Sequence, residues 1–169
     1  MPPVDSPPQS RLIEVSIDRQ ILTLSENGVL LREWPVSTAS RGAGFEPGSF
    51  TTPTGRFRIA EKIGTGAPLG AAFRSRLATG KIIPQGGGED AILTRILWLD
   101  GLDAENANTR KRFIYIHGTN REDLIGTPAS HGCVRMKNAD VAELHDLVRV
   151  GDQVWIAPPS DPLRPPKTA

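Results

Sequence analysis

The chain has 169 residues, a length that suits a single domain with a substantial buried core. Its 20 basic residues nearly balance its 19 acidic residues, and no basic run stands out, so the composition argues against a nucleic-acid-binding protein. The one cysteine excludes an internal disulfide, and the longest apolar run is far too short to cross a membrane.

Proline-rich segments at both ends of the chain predict tails outside the folded domain. Four prolines lie among the first ten residues and five between residues 158 and 169. Proline fixes its own backbone angle and lacks an N–H, so neither segment favours a regular element. We therefore expect tails over residues 1–10 and 158–169, and one domain over residues 11–157.

The location of the protein stays open at this stage. Residues 1–10 have no cationic start and no apolar stretch, so we see no secretory leader in them. Either the protein works in the cytoplasm, or it reaches another compartment through a leader that this sequence lacks.

Alternating apolar residues predict strands along most of the domain. A strand is expected over residues 13–17, where apolar and polar residues alternate with the period of a half-buried strand. Apolar runs at residues 21–24 and 29–31 flank an Asn-Gly pair, which is typical of a tight hairpin turn. Further strands are predicted around Phe57 and Ile59, over Ile92–Leu99, and around Val154 and Ile156.

Residues 64–90 are rich in glycine and alanine and show weak periodicity. A long irregular stretch within a compact domain is often a functional loop or lid. The alternative is an irregular excursion without function, and the sequence does not choose between them.

The segment from Phe113 to His117 predicts another strand. Because successive side chains alternate across a strand, Phe113, Tyr115 and His117 are expected on one face. Ile114 and Ile116 are expected on the other. His117 would then end this strand.

One helix is predicted near the end of the domain, with an apolar stripe at helical spacing. Asn138 or Asp140 can cap its start, and Gly151 suits its end. His145, close to acidic residues in this helix, is expected to be exposed and to have no role. Many short strands and few helices predict a mainly β fold, a small mixed barrel or sandwich with one principal helix.

Two short motifs hold the residues of greatest chemical interest. Residues 116–119 read Ile-His-Gly-Thr, and residues 130–136 read Ser-His-Gly-Cys-Val-Arg-Met. Cys133 follows a glycine in a polar turn, which is a poor place to bury an inert thiol. A neighbouring imidazole can lower a thiol pKa to roughly 3.5–7.5, so we expect Cys133 to be an activated nucleophile.

Two histidines are candidates for the general base. His131 is two residues from the cysteine, where a side chain in a turn often points elsewhere, whereas His117 comes from a separate strand that can fix its approach. The residues alone leave this choice open. Gly132 permits a close approach of the backbone to a substrate. The N–H groups of Gly132 and Cys133 are candidates to stabilise an oxyanion, and one such donor contributes about 10²–10³ in rate.

Taken in order, these residues resemble the signature of the L,D-transpeptidase catalytic domain family, also called the YkuD domain. That signature is a histidine, a spacer, and then Ser or Thr followed by His-Gly-Cys, a variable residue, and Asn or Arg. Here the spacer between residues 117 and 130 is 12 residues, shorter than the most quoted form. The resemblance extends over about residues 11–157. Further landmarks of the family are matched at residues 20–22, 35–38, 52–57 and 126.

The resemblance implies a β-rich domain that transfers acyl groups of peptidoglycan stem peptides without a cofactor. Cys133 would form a thioester with the donor peptide. His117 would be the base, held by the backbone carbonyl of Gly118, and Gly132 would give an oxyanion donor. The residues implied to shape the substrate pocket are Ser130, His131 and Arg135. The arginine would meet a substrate carboxylate, and Tyr115 is either a core residue or a further substrate contact.

The acyl acceptor and the chemistry itself have alternatives. An amine acceptor gives transpeptidation, our first interpretation, whereas water gives an L,D-carboxypeptidase that shortens tetrapeptides to tripeptides. A non-catalytic module that binds the cell wall is a third interpretation. His117, His131 and Cys133 are all possible zinc ligands, but no Cys-x-x-Cys or His-Glu-x-x-His spacing occurs, so no metal is expected. The oligomeric state is not indicated.

Overall fold

The computed structural model describes residues 11–86 and 88–160, which form ten strands, one α-helix and one short 3₁₀ helix. The tail predicted at residues 1–10, and most of the tail predicted at 158–169, lie outside the described residues. The helices are α1 (Asn138–Leu147) and a 3₁₀ helix (Glu122–Leu124). The strands are β1 (Arg11–Ser16), β2 (Ile21–Glu26), β3 (Val29–Pro35), β4 (Gly55–Ile63), β5 (Ala71–Arg74), β6 (Leu77–Ile82), β7 (Ile92–Gly101), β8 (Tyr115–Gly118), β9 (Val134–Met136) and β10 (Gln153–Ala157). Within the described ranges, neither helix has the length and apolar character needed to span a membrane.

The ten strands of the described part belong to one sheet, whose main path runs β3-β2-β1-β10-β4-β7-β5-β6. Strand β7 also pairs with β8, and β8 pairs with β9. The β1–β10 and β8–β9 pairs are parallel, and the other pairs are antiparallel. The mainly β fold with one principal helix is therefore confirmed, and its sheet is open rather than closed into a barrel.

The first strands follow the pattern that the sequence predicts. In β1, Ile13 and Val15 are buried, whereas Glu14 between them is exposed. The predicted hairpin is formed by β2 and β3. Its Asn27 and Gly28 have φ angles of 51° and 81°, the left-handed backbone that a tight two-residue turn requires.

Two hydrophobic clusters hold the elements together. The large cluster joins β1, β2, β4, β7 and β10 to the helix through Val141 and Leu144. Burying one aliphatic side chain stabilises a fold by about 1.5–3 kcal/mol, so this cluster provides most of the apolar stabilisation. The small cluster is centred on Phe73, Ile96 and Tyr115, with Cys133 packed against it. The candidate nucleophile thus rests on the smaller of the two cores.

Strand β8 is shorter than predicted. It begins at Tyr115, and the prediction that Phe113 belongs to the strand is wrong. Phe113 has a φ of 57° and its side chain is 49% exposed, because the chain turns there before it enters the sheet. The expected separation of faces does hold, since Ile114 and Ile116 pack in the large cluster and Tyr115 in the small one.

The start of α1 is held in a different way from the one predicted. The N-cap is Lys137, without a side-chain cap, so the assignment of Asn138 or Asp140 as the cap is wrong. Asn138 is instead buried, and its amide donates to the carbonyl of Thr119 at 2.9 Å. Glu122 accepts the Asn138 backbone N–H at 3.2 Å, which satisfies a donor that a capping side chain would otherwise take.

The end of α1 also departs from the predictions. The helix ends at Leu147, and Gly151 lies in a later turn with a φ of 94°. His145 was expected to be exposed, but only 1% of its surface is accessible because it lies on the buried side of the helix with Leu144.

The segment at residues 64–90 is more regular than its sequence suggests, within the part that the structure describes. It contains the β5–β6 hairpin, so the prediction of an irregular stretch is wrong. All six residues of β6 are exposed, and a strand with no buried face shows no alternation of apolar and polar residues. That is why the strand left no periodic signal.

Candidate active site

A cleft of about 420 Å³ brings together residues that are far apart in the sequence. The parallel pairing of β8 and β9 places His117 beside Arg135, and Cys133 precedes β9 directly. The cleft is lined by Glu89, Asp90, Ile92, His117, His131 and Cys133. The sheet therefore positions both residues that the sequence singles out, the cysteine and the histidine.

The thiol of Cys133 contacts two backbone groups. The N–H of Tyr115 donates to Sγ at 3.3 Å, and the thiol donates to the carbonyl of Phe113 at 3.4 Å. Burial raises the pKa of Cys133 to about 11, against the opposing effect of the Tyr115 N–H. The effect of burial is thus opposite in direction to the lowering of the thiol pKa that the sequence leads us to expect from a neighbouring imidazole.

His117 is buried and has a fixed tautomer. Its Nδ1 lies 2.6 Å from the carbonyl oxygen of Gly118. Because a carbonyl can only accept a hydrogen bond, Nδ1 carries the proton and Nε2 is left as a free base. Burial lowers the pKa of His117, which keeps the ring neutral. The ring therefore has the protonation state that a general base needs.

Gly118 has two roles at the site. Its carbonyl contacts His117, and its lack of a side chain avoids a steric clash. A Cβ at this position would collide with Asn138 Oδ1 and with the carbonyl oxygen of Leu93. The strand that presents His117 thus lies directly against the start of α1. A side chain at residue 118 would displace the carbonyl that holds the imidazole.

The cleft also contains a carboxylate that the sequence analysis missed. Asp90 pairs with Arg135 through Oδ2 and Nη2 at 2.9 Å and accepts a hydrogen bond from Thr119 Oγ1 at 3.2 Å. Its charge raises the pKa of His117, in opposition to burial. The available signal was an acidic residue directly before a strong apolar strand, at the end of a glycine-rich segment. Polar residues at such strand ends often belong to functional sites.

Arg135 lies deeper than the resemblance implies. The residue is 3% exposed, and its charge is already matched by Asp90. A buried arginine that is paired with an internal carboxylate is not free to bind a substrate carboxylate unless that pair opens.

The turn before Cys133 is braced by its own side chains. Ser130 Oγ donates to the carbonyl of Cys133 at 2.6 Å and accepts the N–H of Gly132 at 3.2 Å. Thr52 Oγ1 donates to the carbonyl of Gly132 at 3.0 Å. Gly132 has a φ of 128°, a backbone conformation that other residues rarely adopt. Ser130, which is buried, therefore holds the shape of this turn and does not line the cleft.

His131 and Tyr115 differ in exposure, since His131 is on the surface and Tyr115 is buried. His131 is exposed, lines the cleft, and meets the ring of Phe50 edge-on at a centroid distance of 5.7 Å. Tyr115 is buried in the small cluster, and its hydroxyl accepts a hydrogen bond from Arg76 at 3.1 Å. Burial raises the pKa of Tyr115. The side chain of Tyr115 is thus a core residue, while its backbone N–H contacts the thiol.

The segment before β7 is held by hydrogen bonds to Thr119 and Asn120 at the edge of the cleft. Gln85 donates to the carbonyl of Thr119 at 2.7 Å. Asn120 accepts the N–H of Ala91 at 2.9 Å and donates to the carbonyl of Glu89 at 3.1 Å. These bonds fix the position of Glu89 and its neighbour Asp90. In the described residues, no three His, Cys, Asp or Glu side chains are grouped as a metal site.

Comparison with known proteins gives one consistent family. Residues 10–156 match the L,D-transpeptidase catalytic domain, YkuD. The YkuD protein of Bacillus subtilis, which carries the name of an L,D-transpeptidase, is 30% identical over 145 residues, or 85% of this chain and 64% of that protein. The YkuD protein of Bacillus licheniformis is 38% identical over 120 residues, or 66% of this chain and 72% of that protein.

Solved structures share the fold. An L,D-transpeptidase from Mycobacterium smegmatis superposes with a TM-score of 0.58 at 21% identity, over 88% of this chain and 59% of that chain. The L,D-transpeptidase of Xylanimonas cellulosilytica gives 0.58 at 22% identity, over 93% and 65%. A third structure, LdtMt1 in complex with imipenem, gives 0.56 at 24% identity, over 88% and 59%. The chain spans less than two thirds of these three structures and of the B. subtilis protein.

Proposed function

This chain belongs to the L,D-transpeptidase catalytic domain family, and we propose that it transfers acyl groups of peptidoglycan tetrapeptide stems through a thioester on Cys133. One observation supports this proposal most directly. Cys133 and His117 line the same cleft, and the Gly118 carbonyl holds the imidazole in the tautomer whose Nε2 can accept a proton.

Acylation begins from a neutral pair. Since the pKa of Cys133 is raised and that of His117 is lowered, the thiol proton moves to Nε2 only as Sγ attacks the donor carbonyl. The carbonyl oxygen becomes an oxyanion. As the C–N bond breaks, the imidazolium returns the proton to the leaving amine of D-alanine, and the thioester remains on Sγ.

The oxyanion is stabilised by backbone N–H groups at the turn. The N–H of Gly132 is directed at Ser130 Oγ, so it must share or exchange that bond to act as a donor. The N–H of Cys133 is then the principal donor in this proposal. A preorganised donor of this kind contributes about 10²–10³ in rate.

The second half-reaction decides between the two candidate activities. An amine of a second stem attacks the thioester and gives a proton to His117, and the imidazolium returns this proton to Sγ as the C–S bond breaks and a new L,D peptide bond forms. Water in place of the amine gives a tripeptide, which is L,D-carboxypeptidase activity. We rank transpeptidation first because it is the activity named for the family.

Mass spectrometry of a tetrapeptide muropeptide tests the proposal. Wild type and Cys133→Ala are incubated with the donor, with and without an excess of an amine acceptor. We expect cross-linked product and released D-alanine from wild type only. Tripeptide as the sole product, even with excess acceptor, replaces transpeptidation with hydrolysis. Binding of the muropeptide without any turnover would favour the non-catalytic wall-binding module.

A further inference from the structure

A second surface adjoins the candidate nucleophile, away from the residues that line the cleft. We call it the Arg76 ledge, and it consists of Arg76, Trp98, Arg110 and Phe113. The carbonyl of Phe113 accepts the hydrogen bond of the Cys133 thiol at 3.4 Å. The ledge therefore begins at a residue that touches the reacting sulfur.

Arg76 is held in place by three contacts. Its guanidinium lies 4.8 Å from the ring centroid of Trp98 and 5.0 Å from that of Phe113. One of its nitrogens donates to the Tyr115 hydroxyl at 3.1 Å. Arg76 also forms, with Ser75, the tip of the β5–β6 hairpin, where both residues have positive φ angles of 65° and 48°. The side chain is thus preorganised before any ligand arrives.

The charge of Arg76 is unmatched within the described residues. Arg110, the other cation of the ledge, pairs with Glu61 at 2.6 Å, and Arg135 pairs with Asp90 at 2.9 Å. The ion pairs found in residues 11–86 and 88–160 do not include Arg76. A guanidinium uses five N–H donors in a fixed fork, and the Tyr115 hydroxyl occupies only one nitrogen. The remaining donors suit a carboxylate.

The two rings complete the surface around this cation. Phe113 is 49% exposed and Trp98 is partly exposed, at a centroid distance of 6.0 Å from each other. An exposed aromatic pair around a fixed guanidinium fits a ligand that combines a carboxylate with a short aliphatic chain. A peptidoglycan stem has such groups, because several of its residues carry free carboxylates on aliphatic carbons.

We infer that the Arg76 ledge binds a carboxylate of the stem peptide, with Trp98 and Phe113 covering the adjacent methylene groups. This inference rests on the proposed function for the identity of the peptide. It transfers to Arg76 the role that the sequence signature implies for Arg135, which the structure buries against Asp90.

Binding without turnover tests the ledge. The Cys133→Ala protein is titrated by calorimetry with the tetrapeptide, and with versions in which one carboxylate at a time is a carboxamide. We expect one of these amides to bind about five- to tenfold more weakly than the parent peptide. In Cys133→Ala with Arg76→Gln, that difference should vanish, and with Arg76→Lys it should return in part because the charge is kept.

Arg74→Gln is the matched control. Arg74 is exposed on β5 of the same hairpin, and its substitution removes the same charge. It should leave the preference for the free carboxylate intact. An equal loss in both variants, or a weakening of all peptides alike by Arg76→Gln, would show that Arg76 acts on general charge or on the hairpin, and the inference would be abandoned.

The proposed function and the ledge can fail separately. Turnover of the tetrapeptide by the protein with Cys133 intact tests the function, whereas the carboxylate preference of the Cys133→Ala protein tests the ledge. Turnover without a preference that depends on Arg76 refutes the ledge alone. A preference that depends on Arg76, without turnover, refutes the acyl transfer and keeps the ledge.

Discussion

Two buried histidines, one at the end of β8 and one in α1, show what separates a candidate catalytic site from ordinary packing. His117 and His145 are 2% and 1% exposed, and burial lowers the pKa of both. The Nδ1 of His117 is held by Gly118, and the ring borders a cleft with a thiol. Among the described residues, neither ring nitrogen of His145 has a hydrogen-bond partner.

The comparison teaches that burial and a shifted pKa do not identify a functional group by themselves. Around His117, side chains from three separate segments converge on one cavity, and Asp90, His117 and Cys133 each have a hydrogen-bond partner there. Around His145, the nearby charges are the cations Lys62 and Arg95, together with Asp146 on the helix. An unsatisfied buried polar group costs about 1–3 kcal/mol, so His145 is kept in place by the apolar packing of α1.

The largest effect should come from Cys133. Replacement by alanine should abolish turnover and leave the circular dichroism spectrum unchanged, because the thiol forms the acyl-enzyme and no other cysteine is present in the chain. The strained ring of a carbapenem is an acyl donor, so we also expect a carbapenem to add one equivalent of mass to the wild type and none to Cys133→Ala. Turnover by the alanine variant would remove the basis of the proposed mechanism.

Substitution of the histidines should separate their roles next. His117→Ala is expected to lower the turnover rate by about 10²–10⁴, the usual contribution of a general base. His131→Ala should have a smaller effect, since that side chain is exposed, and His145→Leu should leave the rate almost unchanged. Steady-state kinetics on a tetrapeptide donor would compare the three variants. A greater loss in His131→Ala than in His117→Ala would reverse the assignment of the base.

Only part of this site could be predicted from the sequence. His117 and Cys133 could be identified because each is part of a short motif of restricted residue types. Asp90 could not, because its partner Arg135 is 45 positions away along the chain and only the fold brings the two together. The same holds for the burial of His145. Glu143 and Asp146, close to it in the sequence, are acidic and exposed, and its position on the inner side of α1 is fixed by tertiary contacts.

Among the elements of the fold, too, those with local sequence signals were predicted and those that depend on tertiary contacts were not. The Asn27-Gly28 turn and the alternation in β1 are local signals, and both were predicted correctly. Strand β6 has no buried face, so its hairpin left no periodic pattern. The start of α1 is satisfied by Glu122, a residue outside the helix, and no rule for capping by adjacent residues could have found it.

The pH dependence of thiol alkylation sharpens the description of the site at rest. With a pKa of about 11, the thiolate fraction of Cys133 should rise about tenfold per pH unit up to about pH 10. The rate of alkylation by iodoacetamide should follow this slope, and His117→Ala should change it little because the ring is already neutral. A plateau in the rate below pH 8 would instead indicate a thiolate–imidazolium pair, and an attack by a preformed thiolate.

The smallest effect concerns stability at the other histidine. Burial lowers the pKa of His145 from 6.5 to about 4, so the folded state keeps the ring neutral while the unfolded chain takes up a proton below pH 6.5. The unfolded state then binds more protons, and the free energy of unfolding falls as the pH drops from 6.5 towards 4.

Leucine at residue 145 has no proton to gain and leaves no polar atom unsatisfied. Between pH 7 and pH 4.5, His145→Leu should therefore lose about 2 kcal/mol less stability than wild type in urea unfolding. His117 contributes to the same pH dependence in both proteins, so the difference between them isolates His145. Equal losses in the two proteins would mean that the His145 ring is solvated in the folded state. His117 and His145 would then differ in burial, and not only in their hydrogen-bond partners.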